Sequence, residues 1–192
     1  MTRRWLVLAG VAVVLLVLAG WAVSRALRPS EAPAEASAAN TELVPPTAGV
    51  RHITATLFYA GSDGQSLVPV RQEIVLAEGV VPQGREIVSA QLLRPRSPYV
   101  SVIPEGTRLR AFYVTDRGDA FVDLSPEVTS RHPGGSTAEL LTVYALVNSV
   151  TANLPTIRRV QILIDGQEAD TLAGHIDLRN PLERDTSIIK RP

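Results

Sequence analysis

The sequence predicts an α+β protein: one mixed or antiparallel sheet with two main helices packed on it, preceded by an N-terminal transmembrane helix. Three observations carry this expectation. The 19 residues from Trp5 to Val23 contain no charge. Several later segments alternate apolar and polar residues with the period of a strand. Two others, Gln83 to Leu93 and Ser136 to Asn153, place apolar residues at helical spacing.

As a helix, the uncharged run spans about 28 Å, close to the hydrocarbon thickness of a bilayer. Trp5 and Trp21 sit near its ends, and Arg3, Arg4, Arg25 and Arg28 flank it. The run is long for a cleaved signal, and the Ala-x-Ala sites around Ala36 lie well beyond its end, so an uncleaved anchor is expected. Residues 1–4 then form a cytoplasmic tail, 5–24 the anchor, and the C-terminal domain lies outside the cytoplasm. Residues 25–50 are rich in Pro, Ala, Ser and Glu and read as a flexible linker. The folded domain is expected over 51–185, with 186–192 a tail.

Within the domain, Arg51 to Tyr59 alternates and reads as a strand. Leu67 to Val75 resumes extended character after Gly61-Ser62-Asp63-Gly64. Pro69 inside it demands an edge position or a missing donor that faces outward. Gln83 to Leu93 reads as a helix closed by Pro95. Thr107 to Thr115 and Asp119 to Leu124 form a hairpin around Asp116-Arg117-Gly118, and Ser125 to Arg131 a short helical turn. Ser136-Thr137-Ala138-Glu139 matches a capping box. The helix it opens, to Asn153, carries an apolar stripe from Leu140 to Val150 that predicts burial against a sheet. Val160, Ile162 and Ile164 alternate in a last strand, and Asp165-Gly166 turns it into a hairpin. The return strand is expected at Ala169 to Leu172, with pairing ended at Asn180-Pro181-Leu182.

Composition narrows the chemistry. All 19 acidic residues follow Arg28 while four of the 19 basic residues do not, so the exported part is net acidic, which argues against nucleic acid as a partner. There is no Cys, which excludes disulfides, thiolate metal sites and a lipid-modified Cys. No phosphate-binding loop or nucleophile elbow occurs. Among three His, His175 with Asp177 two residues on would share a face of a strand, and with Asp165 these are the candidates for a hydrolase or metal site. His132 beside Pro133-Gly134-Gly135 reads as loop punctuation, and Ser136 as a cap. No catalytic, cofactor or metal residue is therefore assigned. Aromatic residues beyond the anchor, Phe58, Tyr59, Tyr99, Phe112, Tyr113, Phe121 and Tyr144, fall mostly at core-like positions, against a glycan-binding row.

The blocks Ile103-Pro104-Glu105-Gly106-Thr107, Ala120 to Ser125, GGSTAELL and VQILIDGQEADTLAGHIDLRNPLERD together resemble the GerM domain of sporulation and spore germination proteins, over about residues 51 to 185. Ala173-Gly174-His175 stands where many members have Gly-Gly-His, and the lipid-anchoring Cys of many members is absent. The resemblance implies an extracytoplasmic, membrane-tethered module related to ring-building motifs, serving protein assembly without established catalysis. Its partners would be envelope proteins or a second copy of itself, with no small-molecule substrate.

Overall fold

The computed structural model describes residues 50–190. The expected cytoplasmic tail, anchor and nearly all of the linker lie outside the described residues. Among the described residues, no helix is long and apolar enough to cross a membrane.

β1 (His52–Ala60) and β2 (Leu67–Val75) form an antiparallel ribbon. Two residue types set its edges. In the register, Phe58 lies opposite Pro69. Phe58 turns its backbone groups away from β2, so Pro69 does the same on the other side, and its missing donor is not needed by the ladder.

Helix α1 (Val80–Leu92) follows. It begins three residues before the expected start. Pro82 falls in its first turn, where an N–H has no intrahelical acceptor to lose. Gly84 is buried where α1 crosses β3, and a Cβ there would overlap the Phe112 ring. Glycine is needed for that close approach.

β3 (Leu109–Val114) and β4 (Asp119–Leu124) form the expected hairpin. The short helix α2 (Glu127–Ser130) and the long helix α3 (Ser136–Asn153) then carry the chain to β5 (Arg159–Ile164), which lies parallel to β4. Asp165 and Gly166 both take positive φ, 54° and 77°, the geometry of a two-residue type I′ turn. The return strand β6 is only Gln167–Glu168, two residues earlier and shorter than expected.

β7 (Leu182–Glu183) pairs with the other half of the same β5 edge, so pairing resumes at Leu182 where it was expected to stop. Pro181 precedes this strand and forfeits none of its donors. Segment 186–190, placed in the tail from the sequence, is bound to β2: Leu67 N–H donates to Ile188 C=O (2.9 Å) and Lys190 N–H to Leu67 C=O (2.8 Å).

The fold is α+β, but it holds two sheets rather than one. The β1–β2 ribbon is one; β3, β4, β5, β6 and β7 make a mixed second sheet. Helices α1 and α3 pack between them, α1 against β1, β2 and β3, and α3 against β1, β5 and α1. The sandwiched position corrects the one-sided stripe: Leu141, Val143, Ala145, Leu146, Val147 and Val150 are all buried, and they surround the helix. The main core joins Leu57, Tyr59, Ile87, Val122, Leu146 and Ile162, and a satellite joins Phe58, Leu67, Leu141 and Ala145.

Candidate functional site

The residues that could carry chemistry are spread over the start of α3, the loop after β6 and the β3–β5 sheet, each in a separate set of bonds. The capping box is not formed. Gly135, with φ 86°, holds the N-cap position without a side-chain bond, which puts Ser136 one place inside the helix and exposed. Glu139, freed from the cap, turns inward and is fully buried. Its carboxylate accepts Leu172 N–H (2.9 Å), His175 N–H (2.9 Å) and the His175 Nδ1–H (3.1 Å). Burial alone would raise its pKa, but the backbone N–H donors of this loop and the imidazole outweigh that, leaving the carboxyl below its usual range.

His175 is thus an anchor of loop 170–179 to α3. The loop is not a strand, so His175 and Asp177 do not share a strand face as the spacing suggested. Asp177 instead forms a bidentate pair with Arg179 (2.9 and 2.7 Å) and accepts the Arg179 backbone N–H. The Arg179 guanidinium and amide hold its pKa down to about 2.

Asp165, the third candidate, pairs with Arg110 of β3. Arg110 Nε also donates to Asp123 (3.2 Å), whose other oxygen accepts Gly166 N–H (2.8 Å). Asp123 and Arg110 therefore clamp the β5–β6 turn onto the sheet. The structure attaches His175, Asp177 and Asp165 to three separate partners. No group of three His, Asp or Glu able to hold a metal occurs among the described residues.

His132 is more than punctuation. Its Nδ1 accepts Gly134 N–H (3.0 Å), which leaves the proton on Nε2, donated to Thr142 Oγ1 (3.1 Å). Thr142 in turn donates to Val102 C=O (2.6 Å). Burial lowers the His132 pKa, in keeping with a neutral ring.

Sequence reasoning missed the polar residues inside the helices. Gln91 of α1 is fully buried. Its Oε1 accepts Phe58 N–H (3.0 Å) and the Ser149 hydroxyl (2.7 Å), and its Nε2 donates to Phe58 C=O (2.7 Å). Asn153 treats Thr56 alike, accepting its N–H (2.8 Å) and donating to its C=O (2.7 Å). Val100 exchanges two backbone bonds with Ala60. Together these replace a missing neighbour strand along β1. Asn148 does the same for the C-terminal segment, bonding both the N–H and the C=O of Asp185. The only signal for this role was the presence of amides within an apolar stripe.

An open cleft of about 690 Å³ lies between loop 92–106 and the start of α3, lined by Leu92, Tyr99, Val102, Ile103 and Leu141 among others. None of the candidate acids or histidines lines it. Of the seven aromatic residues named above, Tyr113 alone is exposed, so no aromatic row for glycan stacking is formed.

Comparison with known proteins places this architecture. A crystal structure of a candidate lipoprotein from Clostridium perfringens is similar at 25% identity and TM-score 0.51, over 69% of this chain and 87% of that one. The first GerMN domain of the sporulation protein GerM from Bacillus subtilis matches at 16% identity and TM-score 0.51, over 69% of this chain and 96% of that domain. The tandem GerMN domains of the same protein match at 15% identity and TM-score 0.55, and there this chain accounts for 51% of the structure, over 73% of its own length. No protein among the curated ones matches. The Germane family, described as sporulation and spore germination, matches residues 56–170. That is more than half of the 192 residues, and the chain belongs to the Germane family.

Proposed function

We propose that this protein is a non-catalytic assembly module held at the outer face of the cytoplasmic membrane by its N-terminal apolar segment, acting through surface or strand-edge contacts with envelope proteins or with itself. The observation that carries this reading is the use made of His175, Asp177 and Asp165. Each is committed to shaping a loop or a turn, through Glu139, Arg179 and Arg110 respectively. Family membership and the candidate lipoprotein among the similar structures support an envelope location. A sporulation or germination role is the process the family description suggests.

The test is a double variant, His175→Ala with Asp177→Ala, in a strain whose phenotype depends on the full-length protein. A lower melting temperature is expected from the lost loop contacts, with function retained at temperatures where the fold survives. Loss of function at those temperatures would show that these side chains do chemistry and would overturn the reading. Photo-crosslinking of the tethered protein in its native membrane should capture envelope proteins at the domain surface.

A further inference from the structure

The two edges of the β1–β2 ribbon are treated differently. On β1 the outward backbone groups of Thr56, Phe58 and Ala60 are all bonded, to Asn153, Gln91 and Val100, while those of His52 and Thr54 at the start of the strand have no partner among the described residues. On β2 the outward residues are Leu67, Pro69, Arg71, Glu73 and Val75, because they stand opposite the β1 residues that face away. Leu67 is taken by segment 188–190, and Val75 C=O accepts Gln83 Nε2 (3.2 Å). Among the described residues, the N–H and C=O of Arg71 and of Glu73, the C=O of Pro69 and the N–H of Val75 have no partner. Pro69, Arg71, Glu73 and Val75 are exposed.

This set of free groups is self-complementary. We propose that the β2 edge pairs antiparallel with the β2 edge of a second copy of this chain, about a two-fold axis at Gln72. In that register Arg71 of each copy lies opposite Glu73 of the other, and they exchange both backbone bonds. Val75 N–H then donates to Pro69 C=O. The reverse bond is not required, since Pro69 has no N–H and Val75 C=O is already held by Gln83. Every free group finds a partner, and none is left over. The side chains agree: Arg71 meets a Glu73 carboxylate, and the exposed Val75 meets the Pro69 ring on the same face.

Neighbouring registers fail. A shift that centres the axis on Arg71 sets Arg71 against Arg71 and leaves Glu73 C=O facing Pro69, which has no donor. A shift that centres it on Glu73 sets Glu73 against Glu73 and brings the already engaged Val75 C=O opposite Arg71 N–H. The contact is short and belongs to the transient class, which suits reversible assembly.

The inference rests on the assembly reading above and narrows it to one edge and one partner. The full-length chain has no Cys, so a single Gln72→Cys reports the axis directly. Across the axis Gln72 forms a non-hydrogen-bonded pair, with Cα atoms about 4.5 Å apart, within disulfide reach. Mild oxidation of the full-length variant in membranes should give a disulfide-linked dimer. Thr54→Cys, exposed on β1, should stay monomeric under the same conditions. In the Gln72→Cys background, Arg71→Glu should cut the dimer yield by about tenfold, given two like-charge pairs per dimer, and adding Glu73→Arg should restore it. Recovery by the swapped pair is a result that a folding defect cannot produce.

Absence of the Gln72 dimer, equal crosslinking at Thr54, or failure of the swap to restore the yield would overturn self-pairing and leave Arg71, Glu73 and Pro69 as guards of a solvent-facing edge. Native-membrane capture of another envelope protein together with any of those results would sink the self-pairing alone, leaving the assembly reading intact.

Discussion

Replacing Gln91 with Leu tests whether side-chain amides stand in for a strand along β1. Leu is close in size and adds apolar surface, so the variant isolates the hydrogen bonds from the packing. It strips both the N–H and the C=O of Phe58 of their partners, along with the Ser149 hydroxyl. Phe58 and Ser149 are buried, so water does not readily replace what is lost. Each buried backbone group left unpaired costs about 1–3 kcal/mol, and the added apolar burial returns about 1–2 kcal/mol. The net loss expected is about 3 kcal/mol. With a urea m-value of about 2 kcal/mol/M for a domain of this size, the midpoint should fall by about 1.5 M. Native-state hydrogen exchange should show the Phe58 amide losing protection more than Leu57, whose backbone groups face β2. A midpoint within about 0.3 M of the parent, at unchanged m-value, would refute the argument that Gln91 is required to satisfy this edge.

Gly84→Ala should destabilise by about 1–3 kcal/mol through overpacking against Phe112, and Phe112→Leu should recover part of that in the double variant, read as melting temperature. Glu139 has a folded-state pKa below its ordinary 4.5, so its contribution is fully present above that value and is lost as the pH falls through the lower folded-state value. Glu139→Gln should therefore be less stable than the parent at pH 7, with the gap narrowing below about pH 4 in urea titrations; a gap constant with pH would contradict the charge-assisted loop anchor. Asp177 should titrate near 2 by NMR, and Arg179→Ala should return it toward the ordinary 3.8. An unchanged value in that variant would mean that the pair is not formed in solution.

The elements with strong local patterns were legible before the structure. β2 matches its expected range, Leu67 to Val75, because alternation and the flanking Gly cluster agree. α3 likewise spans Ser136 to Asn153. The Asp165-Gly166 turn could be read because only a few residue pairs accept positive φ twice in succession. What could not be read is what depends on distant partners. Ser136 and Glu139 have the letters of a capping box, yet Gly135 takes the N-cap place and loop 172–175 takes the carboxylate. The second sheet arises because α3 and Gln91 occupy the β1 edge that would otherwise have joined the ribbon to its neighbours. His175 and Asp177 looked like a pair because two-residue spacing puts side chains together only if the segment is a strand, and here it is not.

The Asn153 bonds to Thr56 span 97 residues of sequence. A chain made from its N-terminus at about 5–20 residues per second completes β1 and β2 at Val75, about 4–16 s before the Asn153 amide that closes the β1 edge has been polymerised. Through that interval the ribbon presents unpaired groups on both sides, and any extended segment nearby competes for them. Order of synthesis therefore sets a period of exposure that the finished molecule does not reveal. Its length is fixed by where Asn153 lies in the chain, and binding of the nascent ribbon by a holding chaperone would matter most during those seconds.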